Sequence, residues 1–209
     1  MIVNLASMAM IPLPEDTEAL IIRLGPPRWR MSDEEFEQFC AQHSDVRIEM
    51  TGEGEVIIMP PVTSEGGKRN FSLTTRFGAW VETDATGVGF DSSTGFTLPN
   101  GAKRSPDASW VRRERWDALT NEERNEFAPV CPDFVVELRS KSDRLTTLQK
   151  KMEEYLANGA QLGWLIDPLE RKVHIYRPHA PVEVLDNPPQ ISGDSLLKGF
   201  VLKLDGILN

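Results

Sequence analysis

The chain is poor in the residues that build metal knots, disulfide frameworks and membrane spans. Its 209 residues include two cysteines and three histidines. Cys40 and Cys131 are far apart and form no CxxC pair, so neither a disulfide scaffold nor a cysteine–zinc knot is expected. His43, His174 and His179 fall in no HxH or HxxxH spacing, which disfavours a histidine-built zinc site. Long hydrophobic runs are missing as well. Val56 to Met59 leads straight into Pro60-Pro61, and nothing approaches the roughly 20 apolar residues of a transmembrane helix. No basic residue precedes the mildly apolar start, Met1 to Pro14. A secretory signal is therefore not expected, and a reducing cytoplasm is. Positive charge is also scarce, with 23 Lys+Arg against 32 Asp+Glu and a net charge of −9. Phosphate repels such a chain at long range, which argues against non-specific coating of nucleic acid but leaves a local basic site open.

What is present is ordinary globular material, 40% hydrophobic and 26% charged, long enough to bury a core without staples. The length predicts one domain. Residues 1–30, with four prolines and little periodicity, read as an N-terminal arm. Residues 31–209 read as a single domain, its C-terminal part a hairpin and loop extension rich in Pro, Asp and Asn over 178–194. No internal repeat or low-complexity tract interrupts it.

Periodicity gives the elements. Ser32-Asp-Glu-Glu35 is a capping box opening a helix over about 33–42. Arg47–Thr51 and Glu55–Met59 alternate around Gly52-Glu53-Gly54, a hairpin signal. Leu73, Phe77, Trp80 and Val81 fall on one face of a helix over 64–83. Gly87–Asp91, Gly95–Leu98 and Pro106–Val111 are short strands, and Arg113–Leu119 a short helix. Phe134-Val-Val-Glu-Leu-Arg139 has the apolar density of a central strand. A helix over Thr146–Asn158 follows, closed by Gly159, then strands at 162–166 and 172–176. Strand, helix, strand over 134–166 is a βαβ-like unit, which predicts an α/β fold: a mixed sheet with helices on both faces.

Glu137 and Arg139 share one face of their strand. They read either as a cross-strand ion pair at a strand end or as a carboxylate and a cation posed over one site. The second arrangement is what phosphodiester hydrolysis needs, the carboxylate holding a divalent ion and the cation meeting developing negative charge. Pro106-Asp107 supplies a second carboxylate at a strand start, where turn chemistry is the other explanation. The competing Pro132-Asp133 places Asp133 about 13 Å from Glu137 along one strand, too far to share a metal. On the following helix Lys151 flanks the buried stripe, either as a surface lysine beside Tyr155 or Glu154 or snorkelling toward a site. Glu49 alternates within its own strand, either exposed or in a metal role. Lys68-Arg69, Arg76, Lys103-Arg104, Arg112-Arg113 and Arg115 are local positive clusters where phosphates would bind. Trp110 and Trp116 flank such clusters and are candidates to stack on bases.

These residues resemble the PD-(D/E)XK nuclease superfamily and, more closely, the Uma2 family of restriction endonucleases. Arg47-Ile-Glu-Met, Ile58-Met-Pro-Pro, Ser105-Pro-Asp-Ala-Ser-Trp110 and Cys131-Pro-Asp-Phe-Val-Val-Glu-Leu-Arg-Ser140 carry the likeness. It continues through Leu148-Gln-Lys-Lys-Met-Glu-Glu-Tyr-Leu-Ala-Asn-Gly-Ala160, Leu165-Ile-Asp-Pro168 and Val173-His-Ile-Tyr176, and spans about 30–178. The resemblance implies a restriction-endonuclease-like mixed sheet flanked by helices, Mg²⁺ or Mn²⁺ as cofactor, DNA as partner and a homodimer. Asp107 and Glu137 match the two acids, with the Leu138 carbonyl completing the metal ligands. Arg139 stands where the superfamily usually has lysine, Lys151 matches a helix lysine that can replace it, and Glu49 matches an early acid. Arginine cannot accept a proton from water, so Arg139 is expected to supply charge only. The expectation is a metal-dependent DNA endonuclease; the alternatives are a non-catalytic binding module that keeps the fold, and an antitoxin or defence-system partner.

Overall fold

The computed structural model describes residues 20–22, 30–59 and 61–209. The expected arm over 1–30 lies outside the described residues except for 20–22 and Arg30. In chain order the elements are β1 (Leu20–Ile22), α1 (Asp33–Gln42), β2 (Arg47–Met50), β3 (Val56–Met59), α2 (Ser64–Asp84), β4 (Gly87–Asp91), β5 (Phe96–Thr97) and β6 (Lys103–Arg104). Then come β7 (Ala108–Arg112), α3 (Arg113–Asp117), α4 (Asn121–Arg124), β8 (Phe134–Leu138), α5 (Leu145–Ala157), β9 (Leu162–Asp167), β10 (Lys172–Tyr176), β11 (Glu183–Asp186), β12 (Gln190–Ser192) and β13 (Val201–Lys203).

Local chemistry starts the helices where the sequence predicts. The Ser32 hydroxyl accepts from the Glu35 N–H while the Glu35 carboxylate accepts from the Ser32 N–H, closing the capping box of α1. Thr63 caps α2 through the Gly66 N–H. Thr120 and Glu123 form a second capping box on the one-turn α4, which has too few apolar residues to show a periodicity.

Six strands form the main sheet in the order β11-β10-β9-β8-β7-β4. It is mixed, because β8 and β9 run parallel across the α5 crossover while its other neighbours are antiparallel. Alternation then sorts the side chains. Phe134, Val136, Trp164, Ile166, Val173 and Ile175 pack on one face against Leu73 and Phe77 of α2. Val135, Leu165 and Tyr176 pack on the other against Met152 and Tyr155 of α5. Helices therefore cover both faces, as the βαβ pattern requires. A second sheet of five strands, ordered β1-β3-β2-β6-β5, receives α1 through Phe36, Ile48, Met50 and Val56.

The C-terminal part, read as a hairpin and loop extension, forms antiparallel pairs and also packs into the core. Glu183–Asp186 adds an edge strand to β10, and Gln190–Ser192 pairs with Val201–Lys203. Ile191, Leu197, Phe200, Leu202, Leu204, Ile207 and Leu208 then complete the core on the α2 side. Phe200, Leu202 and Leu204 alternate with the exposed Val201 and Lys203, so this strand buries one face.

Candidate active site

Sheet geometry brings the two acids together. β7 and β8 are antiparallel, with Ala108 opposite Val136. One step further along that register, Asp107 stands opposite Glu137. The Asp107 carboxylate accepts from the Leu138 main-chain N–H at 2.8 Å, from Arg47 Nη1 at 3.2 Å and from Asn70 Nδ2 at 3.4 Å. Strands β8 and β2 and helix α2 thus converge on one carboxylate. The contact of Leu138 to it runs through the N–H.

Glu137 is 4% exposed. Its Oε1 accepts from the Tyr155 hydroxyl at 3.0 Å and lies 2.9 Å from Lys151 Nζ. Lys151 and Tyr155 are four residues apart and so share a face of α5. Lys151 also donates to Glu49 Oε1 at 2.8 Å, so it bridges two acids instead of lying on the surface. Glu49 follows from strand alternation: Ile48 and Met50 face α1, which turns Arg47 and Glu49 the other way. Glu49 also takes the Ser105 N–H at 2.9 Å on Oε1 and Arg104 Nη1 at 3.0 Å on Oε2. Arg104 is held in turn by Glu154, 2.6 Å from its Nε.

The charges decide which acid is strained. Burial alone would raise Glu49, but Lys151, Arg104 and Arg47 outweigh it and hold the carboxyl down at about 2. Burial pushes Glu137 up to about 7, opposed by Lys151 and Arg47 and reinforced by the negative charges of Asp107 and Glu49. Burial would lower Lys151, yet Glu137 and Glu49 keep it charged with a raised pKa. Four acids, Asp107, Glu137, Glu49 and Glu154, and three cations, Arg47, Arg104 and Lys151, meet here. Tyr155→Phe removes one of the two donors to the buried Glu137 oxygen. It is expected to cost about 1–3 kcal/mol of stability, read from the denaturant midpoint.

Arg139 lies just beyond β8. Its Nη1 donates to Asp167 Oδ2 at 2.7 Å, its Nε to the Asp143 carbonyl at 3.2 Å, and Glu170 is 3.6 Å from Nη1. Asp167 is fully buried. The Arg139 charge is therefore answered by Asp167, one strand over, while the clustered acids are answered by others. Arg139 still borders a groove that opens outward from Asp107, between Gly66, Arg69 and Asn70 of α2 and Leu138, Arg139 and Lys141. Its lips include the exposed Val62 and Leu169.

Other basic clusters serve the scaffold. Arg112 and Arg115 bond to Asp133, which sits at the far end of β8 from Glu137, as the rise along the strand predicts. Arg113 donates to the Gly87 carbonyl, Arg76 to the carbonyls of Lys203 and Asp205, and buried Lys103 to Thr97. Trp110 is 2% exposed in the core, and Trp116 packs on Phe90 under Arg124. Neither tryptophan presents a stacking face like that expected from its basic neighbours. Conversely, Arg47, Asn70, Arg104 and Tyr155 join the site although the sequence pattern assigns them no role in it. Arg47 had one usable signal, its alternation with Glu49.

Among the described residues no group of three or more His, Cys, Asp and Glu forms a ready metal cage. Asp107 and Glu137 offer hard carboxylate oxygens, while both oxygens of Glu49 are taken by Lys151, Ser105 and Arg104. That set fits Mg²⁺ or Mn²⁺, which keep several waters and take one or two carboxylates, and does not fit Zn²⁺. Burial is the main cause of the raised Glu137 pKa, and the negative charges of Asp107 and Glu49 add to it.

A profile of the family Uma2, whose description reads "Putative restriction endonuclease", matches residues 33–205. A crystal structure described as "a putative nuclease belonging to DUF820 from Anabaena variabilis ATCC 29413" superposes with a TM-score of 0.70 at 24% identity, covering 85% of this chain and 97% of that one. That likeness bears on the fold alone. No curated protein matches. No described helix is long and apolar enough to cross a membrane.

Proposed function

The chain belongs to the Uma2 family, and from that premise we propose that it is a metal-dependent DNA endonuclease that hydrolyses phosphodiester bonds at Asp107 and Glu137. Family and fold both support a nuclease. The observation that carries the finer reading is Asp107 in the wall of a groove open to solvent, next to Glu137 across the β7–β8 register, with Lys151 bonded to Glu137 behind it.

Asp107 and Glu137, with the Leu138 carbonyl, would hold Mg²⁺ or Mn²⁺. When bound, such an ion supplies positive charge to a phosphate oxygen and lowers the pKa of water. The chain's own groups do the rest. The Leu138 N–H and Asn70 fix the Asp107 carboxylate. Glu49, with both oxygens already bonded, positions Lys151. Lys151 places a buried cation where negative charge grows during displacement, and a fixed charge in a dry site acts strongly there. Arg139, aimed by Asp167, borders the groove and adds charge without taking a proton. DNA is the partner this reading requires, and a homodimer, with one site for each strand, the assembly. The test is divalent-dependent nicking of plasmid DNA, lost in Asp107→Ala and Glu137→Ala.

One observation favours the second reading, a binding module without catalysis: the clustered acids are already paired with three cations. In that case the three proteins give equal background nicking.

Acidity provides an independent check. Because Glu137 titrates near 7 in the fold and near 4.5 ordinarily, its contribution to stability is complete below about 4.5 and lost as pH rises through about 7. Glu49 behaves oppositely, stabilising above about 4.5 and failing only as pH falls toward about 2. The metal-free melting temperature is expected to decline from pH about 5 to 8 relative to Glu137→Gln, and Mg²⁺ to reverse that decline. Melting curves across pH, with and without Mg²⁺, check it.

A further inference from the structure

A cation already occupies the centre of the acidic cluster. Arg47 Nη1 lies 3.2 Å from Asp107 Oδ1, and its charge acts on Asp107, Glu49 and Glu137 together. Its Nε is buried without a hydrogen-bond partner, so the guanidinium is not locked by a full set of bonds as Arg104 is by Glu49 and Glu154. The side chain keeps 29% of its surface exposed, against 8% for Arg104. Arg47 has the charge and the carboxylate contact of a ligated cation together with an outlet to solvent.

We propose that Arg47 is the resident counter-cation of Asp107, which a divalent ion must displace before it binds, and that Arg47 thereby sets the affinity of the site for metal. This rests on the reading of Asp107 as a metal ligand. Arg47 and Asn70 take both lone pairs of Oδ1 and the Leu138 N–H takes one of Oδ2, so an ion that binds Oδ1 takes the place of Arg47, and two positive charges on one carboxylate repel. Occupation of Oδ1 therefore breaks the Arg47–Asp107 bond and turns the side chain outward to solvent, where part of its surface already lies. The exchange makes metal binding weaker than the carboxylates alone would give, and it keeps a counter-charge on Asp107 when no ion is bound.

The test is Mn²⁺ binding to the full chain without DNA, followed by calorimetry or by the electron paramagnetic resonance signal of free Mn²⁺. Arg47→Met is expected to bind about tenfold more tightly than the natural chain, about 1.4 kcal/mol. Arg47→Gln, which keeps a polar tip and loses the charge, is expected to do the same, and Asp107→Ala to lose binding. Free guanidinium at millimolar concentration is expected to compete with Mn²⁺ in Arg47→Ala and not in the natural chain. Equal affinity of natural chain, Arg47→Met and Arg47→Gln, with binding still lost in Asp107→Ala, overturns the exchange and leaves the metal site standing. Absence of Mn²⁺ binding in all of them, including the natural chain, overturns both.

Discussion

Lys151→Met is expected to cost about 3–5 kcal/mol, the penalty for breaking a buried ion pair by deleting one partner. The lysine bridges two carboxylates at 2.8 and 2.9 Å, each nine-tenths or more buried. Methionine fills similar volume, so little of the loss is packing. Glu49 retains Arg104 and the Ser105 N–H, whereas Glu137 retains only the Tyr155 hydroxyl among its described donors. The damage therefore falls on Glu137, whose proton affinity rises further. Adding Glu137→Gln to Lys151→Met is expected to recover part of the loss, because the amide stays neutral in the buried site without taking up a proton. Chemical denaturation of the three variants and the natural chain reads this as a double-mutant cycle. A single Lys151→Met loss below about 1 kcal/mol, the value of an exposed pair, would contradict the bridge.

Asp107→Asn and Glu137→Gln are each expected to lower the rate of divalent-dependent DNA cleavage by more than about 100-fold, the upper end of what loss of a mere outer-shell partner costs. The amides keep shape and much of the hydrogen bonding. In Asp107→Asn the side-chain carbonyl oxygen can still accept from the Leu138 N–H or from Asn70, so folding is largely retained, and the effect isolates charge. Glu49→Gln separates roles. It leaves both candidate ligands in place but loosens Lys151, so a smaller fall is expected from it, together with a loss of stability. Steady-state rates on a short duplex across Mg²⁺ concentration distinguish the two patterns, since loss of a ligand shifts the metal requirement and loss of a positioning acid does not.

The sheet that carries the site was legible because its strands are dense in apolar residues and its helices are capped. Phe134–Leu138, Leu145–Ala157 and Leu162–Asp167 appear within a residue or two of their expected limits. Lys103–Arg104 was not legible as a strand: two residues cannot show alternation, and their charge suggested a cluster where phosphates would bind. The structure buries both, because Thr97 and Asp33 answer Lys103 and Glu49 and Glu154 answer Arg104. Which cations are buried depends on long-range partners, and sequence spacing does not encode them.

The acids were easier to find than the cations. Asp107 and Glu137 stand at strand ends beside Pro-Asp and apolar runs, and Lys151 borders a helical stripe. Arg139 shares the face of Glu137 along an ideal strand, yet β8 ends one residue earlier and the buried Asp167 at the end of β9 takes its guanidinium. The net charge of −9 also reads differently after folding. Several of its acids are matched locally by buried arginine and lysine, and the groove beside Asp107 is lined by Arg69, Arg139 and Lys141 together with Glu65, which pairs with Arg69.

The most direct measurement is conversion of supercoiled plasmid to the nicked form as Mg²⁺ or Mn²⁺ is titrated, run side by side on the natural chain, Asp107→Ala and Glu137→Ala. Nicking by the natural chain is expected to depend on the divalent ion, to disappear with a chelator, and to fall to background in both variants. Equal nicking by all three proteins, or none by the natural chain at any divalent concentration while its fold is intact, would contradict a metal-dependent nuclease centred on Asp107 and Glu137.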